Sequence, residues 1–103
     1  MTVYRIEDKA HQGPYSNPAF RNRLNDYTAL ADHPRGEWET WTSHGAHVSV
    51  DTALYGFASL PALHNWFSAD DLAYLAANGY QVATYDVPAD RVDIGRYQCR
   101  FNP

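Results

Sequence analysis

The sequence predicts an α+β fold: a small, mostly antiparallel sheet with two short helices from the C-terminal half packed on it. Three observations carry that expectation. Residues 54–101 pass through strand, helix, helix, strand and strand signals with almost no spare residues. Within that stretch two helix starts and one helix stop are written in capping residues. Residues 80–87 and 97–101 are rich in the aromatic and β-branched side chains that suit a pleated, half-buried surface.

Residues 2–6 read as a first strand, with Tyr4 and Ile6 on one side and Val3 and Arg5 on the other. A charge in mid-strand has two readings: Arg5 lies on a solvated face or pairs with Glu7 or Asp8, or it points into a cleft. The polar segment that follows contains Gly13-Pro14-Tyr15, a turn that presents Tyr15 beside the strand end. Asn17-Pro18 suits an N-cap and first helical position, and Phe20, Leu24, Tyr27 and Ala31 recur at helical spacing, so an extra helix is expected near 18–31. Residues 34–52 are the least readable. Trp38 and Trp41 stand three apart, which fits a helical turn or an irregular hairpin arm. His44 and His47 invite a metal reading, but without a cysteine or a carboxylate triad they fall short of a zinc signature, and no metal is expected. Residues 47–50 alternate weakly. Residues 53–58 suggest a short strand in which Gly56 allows close backbone approach.

Ser59 is placed to cap a helix over 60–67, with Pro61 tolerated in its first turn. Ser68 starts the next helix, over 70–78, because Asp71 stands where its carboxylate reaches back to complete a capping box. The apolar side of that helix is Leu72, Leu75 and Ala76. Asn78-Gly79 stops it, with Gly79 in the left-handed position and Tyr80 folding back onto the helix. Residues 80–87 form a strand closed by Pro88. Residues 89–95 have the composition of a connecting turn. In the last strand Tyr97, Cys99 and Phe101 face inward, and Gln98 and Arg100 share the opposite side. Helices this short need tertiary support, so Leu63, Phe67, Leu72 and Leu75 are expected to bury against Val82, Tyr85, Cys99 and Phe101.

A chain of 103 residues supports one domain over 1–103, able to bury roughly 65% of its unfolded surface. No apolar run approaches the ~20 residues that span a bilayer, so no membrane partner is expected. Residues 1–5 lack a signal peptide's basic and apolar regions, and Cys99 is the single cysteine, so cytoplasmic residence is the expectation. With 12 acidic against 8 basic residues and a formal charge of −4, the chain lacks the basic stripe that phosphate-driven affinity needs. Nucleic acid is therefore not an expected partner, although a mononucleotide needs only one or two arginines. There is no repeat, no phosphate-cradling glycine loop, no nucleophile elbow and no Cys-His pair, so standard hydrolase readings find no support.

Tyr4-Arg5-Ile6-Glu7, Gly13-Pro14-Tyr15, Gly56-Phe57-Ala58-Ser59, Trp66-Phe67, Tyr85-Asp86-Val87 and Gln98-Cys99-Arg100-Phe101 follow one another in an order that resembles a group of small phage and prophage proteins. The likeness covers most of the chain outside residues 18–52. It implies a phage or prophage protein and assigns no activity.

Arg5 on a first strand, Phe57-Ala58-Ser59 before a helix, the Val87-Pro88 to Val92 turn and Gln98 on a late strand also resemble ADP-ribosyltransferase-like domains. That likeness implies NAD as substrate, with Arg5 holding diphosphate or ribose, Ser59 bracing the floor, Tyr15 or Tyr55 stacking on nicotinamide, and Arg5, Ser59 and Gln98 meeting in one cleft. Such a transferase generally carries a carboxylate where Gln98 stands. Gln98 supplies a hydrogen bond without the charge that stabilises an oxocarbenium-like transition state, which implies slow turnover or binding alone. The simpler reading of Gln98 is an outward polar residue on an edge strand.

Eight tyrosines and three tryptophans exceed what a core of this size readily buries, and both types dominate interface hot spots. The leading expectation is thus an accessory protein of phage type that binds a host protein in the host cytoplasm, for example inhibiting a defence system or enzyme. A patch of Trp38, Trp41 and Tyr27 would serve a partner or a homodimer. The alternative is a domain that binds NAD or ADP-ribose.

Overall fold

A computed structural model of the chain describes residues 1–14 and 40–103. The expected helix near 18–31, and with it Tyr15, Tyr27 and Trp38, lies outside the described residues. In chain order the described elements are β1 (Thr2–Glu7), β2 (Trp41–Ser43), β3 (Leu54–Gly56), α1 (Leu60–Trp66), α2 (Ala69–Ala77), β4 (Gln81–Asp86), β5 (Val92–Gly95) and β6 (Cys99–Phe101). The architecture is α+β with antiparallel pairing throughout, as the sequence predicts.

The strands divide into a β1-β4 pair and a four-stranded sheet in the order β2-β5-β6-β3. One bridge joins them: the Tyr4 and Phe57 amides each donate to the other's carbonyl, at 2.8 and 2.7 Å. Gly56 permits that approach, because a Cβ there would lie 2.7 Å from the Tyr4 carbonyl oxygen.

The helix signals are realised closely. The Ser59 hydroxyl accepts from the Ala62 amide, capping α1. Ser68 and Asp71 form the reciprocal capping box of α2. At its end Gly79 adopts φ +89°, its amide donates to Ala76, and the Tyr80 amide returns to the Leu75 carbonyl at 3.0 Å. This is the double bond of a Schellman motif, and Tyr80 is buried beside Leu75.

The packing beneath the helices differs from the expectation. Leu63, Phe67 and Leu75 bury with Ile6, Phe57, Trp66 and Tyr80, while Leu72 packs at the margin. Val82 is 44% exposed, and Tyr85, Cys99 and Phe101 belong to a second cluster with Val3, Val87 and Val92. The cause lies in β1: it is covered on both sides, Ile6 facing the helices and Val3 the second cluster. The helices thus sit over β1 and Phe57; Val82, opposite Ile6 on β4, shares its side of the pair but stays outside the cluster and exposed.

Two local readings are also corrected. Residues 89–95 are a 3-10 turn, Ala89–Arg91, followed by β5, a strand disguised by the charge of Asp93. The weak alternation at 47–50 gives no strand but leads into a 3-10 turn, Val50–Thr52, whereas Trp41–Ser43 does pair with β5. Around Arg96 and Tyr97 the Gly95 amide donates to the Gln98 carbonyl at 2.9 Å, closing the β5-β6 hairpin. Tyr97 therefore stands at a hairpin tip, 38% exposed rather than inward, and inward alternation begins at Cys99.

Candidate functional site

Alternation along β1 places Val3, Arg5 and Glu7 on one side, and the register Val3 to Tyr85 brings Tyr85 to the same side. Glu7 is 1% exposed. A buried carboxylate needs partners, and it has three. The Tyr85 hydroxyl donates to Oε1, His11 Nδ1 hydrogen-bonds Oε2, and Arg5 Nε stands 4.0 Å from Oε1. Burial, reinforced by the bond to Glu7, pushes the Tyr85 phenol up to about 12, so it keeps its proton and acts as a donor. Burial lowers the Arg5 guanidinium from its ordinary value while Glu7 opposes the shift. Arg5 itself donates from Nη1 to the Tyr55 carbonyl at 2.7 Å, whereas its buried Nε has no hydrogen-bond partner among the described residues. Of the two readings of Arg5, pairing with Glu7 holds, but on a largely buried side rather than a solvated one.

His11 is delivered by a tight loop. The Asp8 carboxylate accepts from the Ala10 and Gln12 amides, both at 2.9 Å, and the His11 amide donates to the Asp8 carbonyl at 3.0 Å. His11 takes φ +62°, the left-handed region that costs a side chain energy. Its ring is 76% exposed although the carboxylate behind it is buried.

A second polar group occupies the outer side of the four-stranded sheet. Asp93 and Arg100 are cross-strand neighbours of β5 and β6, and Arg100 Nε donates to Asp93 Oδ2 at 2.7 Å. The Gly45 amide donates to Oδ1 at 2.9 Å. Burial raises the Asp93 carboxyl, but these bonds outweigh it and hold the group below its usual range. The Arg100 guanidinium lies over the Trp41 ring, 4.0 Å from its centroid, and Trp41 meets Tyr55 at 6.2 Å. His44 and His47 face Asp93 and Asp90, each at 3.7 Å, and no cluster of three potential metal ligands occurs among the described residues.

The residues singled out from the sequence do not assemble as one cleft. Arg5 and Tyr55 meet through the Tyr55 carbonyl alone. The Ser59 hydroxyl is engaged in the α1 cap. Gln98 is 9% exposed, next to the central strand β6 rather than on an edge. Because Cys99 and Phe101 share a cluster with Val3, alternation sends Gln98 to the Arg100 side of the sheet, opposite to Arg5. Sequence reasoning missed Glu7, His11, Tyr85, Asp93 and Arg100 as a set. Glu7 was visible only as a charge beside the first strand and Asp93 as one in a turn-like stretch; their partners come from β4, β6 and two loops.

The profile of the Bacteriophage T4 Y00F protein family matches residues 1–103. A protein of Enterobacteria phage T4 described as an uncharacterized 19.7 kDa protein in the motB-dexA intergenic region is 41% identical over 51 residues, covering 48% of this chain and 31% of that protein. The match thus spans about a third of the length of that relative. No solved structure matches. The full-length profile match shows that the chain belongs to the Bacteriophage T4 Y00F protein family, a family of phage proteins.

Proposed function

We propose that the chain is a phage accessory protein that works in the host cytoplasm by binding a host protein through the outer side of the β2-β5-β6-β3 sheet. The observation that supports this is the Asp93-Arg100-Trp41 stack. A buried carboxylate fixes the guanidinium, and the guanidinium fixes the indole, so little side-chain freedom remains to be lost on association. Tyr55 beside it is 44% exposed. Tryptophan, tyrosine and arginine in rigid apposition have the composition of an interface hot spot. Trp41 is the one member of the sequence-derived patch within the described residues, so a homodimer competes for the same surface. No helix among the described residues is long and apolar enough to cross a membrane.

The test is capture of partners from host lysate on immobilised chain, followed by calorimetry with the purified partner. Trp41→Ala and Tyr55→Ala should each weaken binding about tenfold or more, about 1.4 kcal/mol. Unchanged affinity in both variants would show that this surface is not the interface. Light scattering of the free chain separates a host partner from self-association. The geometry does not favour the NAD reading, since the Ser59 hydroxyl is engaged in the α1 cap and alternation sends Gln98 to the side of the sheet opposite to Arg5.

A further inference from the structure

The Glu7-His11 pair has a property that charge compensation alone does not require. The carboxylate is buried and the imidazole exposed, with the bond between them made through Nδ1. As a carboxylate Glu7 can only accept hydrogen bonds, so His11 Nδ1 donates to it just as the Tyr85 hydroxyl does. Nδ1 then carries the ring proton, and Nε2, on the far side, holds a lone pair with no hydrogen-bond partner among the described residues. A histidine backed in this way by a carboxylate is the positioned base and nucleophile of acyl-transfer sites. His44 and His47, at 3.7 Å from their aspartates, lack that hydrogen bond.

We propose that His11 is a nucleophilic site for small, neutral, activated esters, with Glu7 as its positioning residue. The Nε2 lone pair attacks the ester carbonyl carbon, the carbon–oxygen bond breaks, and the phenolate leaves with the bonding electrons. Glu7 takes up the Nδ1 proton as the ring gains charge. Water then adds to the acyl carbon, the carbon–nitrogen bond breaks, the acid is released, and the ring recovers its Nδ1 proton. The surroundings favour an ester over a phosphoryl group. The Ala10, His11 and Gln12 amides all turn inward onto Asp8, and Arg5 Nη1 is bound to the Tyr55 carbonyl, so these donors, among the described residues, are not free to cradle an anion. With these donors engaged, no oxyanion-stabilising group stands beside His11 among the described residues, which limits the substrates to good leaving groups.

The experiment is hydrolysis of p-nitrophenyl acetate by the wild-type chain, His11→Ala and Glu7→Gln, with imidazole nitrogen-15 spectra of the wild type. The expected result is at least a fivefold rate loss in His11→Ala, a smaller loss in Glu7→Gln, and a His11 ring proton on Nδ1. Because Glu7→Gln can destabilise the fold, the tautomer and His11→Ala decide without it. Equal rates in the wild type and His11→Ala overturn the proposal, as does a ring proton on Nε2. Phosphorylation of His11 by phosphoramidate at a rate matching acylation would overturn the ester preference.

Discussion

Leu75→Ala and Val82→Ala discriminate between the two ways in which the helix pair could be packed. If the helices lay on β4, both residues would be core and both changes would be costly. In the structure Leu75 is 1% exposed and belongs to the helix-side cluster, whereas Val82 is 44% exposed on β4 and lies outside that cluster. Removing the isobutyl end of Leu75 loses its transfer free energy and leaves a void ringed by Phe67 and Tyr80, a rigid aromatic wall that relaxes poorly. The expected cost is about 2–4 kcal/mol. For a domain of this size that corresponds to a fall in Tm of about 10–25 °C. Val82→Ala should cost less than about 0.5 kcal/mol. Urea unfolding followed by circular dichroism measures both, with scanning calorimetry as the check on two-state behaviour. A Leu75→Ala loss under about 1 kcal/mol, or a Val82→Ala loss equal to it, would refute the packing described.

Gly79→Ala should destabilise by about 1–2 kcal/mol through backbone strain alone, since φ is +89° and a Cβ there meets nothing within 4 Å; chemical denaturation reads it. Asp93 gives a pH signature. Its carboxyl is depressed in the folded chain, so its stabilisation is fully present above the unfolded value of about 3.9 and is lost as pH falls through the lower folded value. Asp93→Asn should therefore be less stable near neutrality and lose less stability on acidification, which thermal melts from pH 6 to pH 2 will show. Tyr85→Phe removes one donor from the buried Glu7 carboxylate and should cost about 1–3 kcal/mol in urea unfolding, whereas a neutral result would mean that Glu7 is satisfied without it. Calorimetric titration with NAD and ADP-ribose should give no saturable heat; binding that vanishes in Arg5→Ala would restore the nucleotide reading.

Local chemistry made the helical half of the fold legible. Ser59, Ser68, Asp71 and Gly79 act within a few residues of themselves, so their sequence positions carry their roles. The strand pairing was harder, because β5 and β2 are short and hold residues that local preference assigns to turns. Asp93 sits in β5 only because Arg100, seven residues later, neutralises it across the hairpin. The same holds for the candidate site. Arg5 was visible as a charge in a strand, but its partners Glu7 and Tyr85 meet only through the β1-β4 register, and its link to Tyr55 only through the bridge at Phe57. A pattern of single residues resembling a transferase could not reveal that alternation separates Arg5 from Gln98.

Both buried acids stand where the sheet system would otherwise slip. Glu7 closes the end of β1 that must pair with β4 while meeting β3 through one bridge, and Asp93 locks β5 to β6 while taking the Gly45 amide of the loop after β2. Each acid together with its partners could be replaced by packed apolar residues at little cost in stability, since desolvation of buried ions consumes much of their pairing energy. What an apolar residue could not supply is direction. Tyr85, His11, Arg100 and Gly45 are each aligned by a carboxylate oxygen; a one-residue slip of β1 on β4 would take the Tyr85 donor from Glu7, and a slip of β5 on β6 would part Asp93 from Arg100. The acids thus fix register, and as a consequence each presents an ordered group at the surface: the His11 imidazole from one, the Trp41-Arg100 stack from the other. That coupling makes the two surface features inseparable from the fold that carries them.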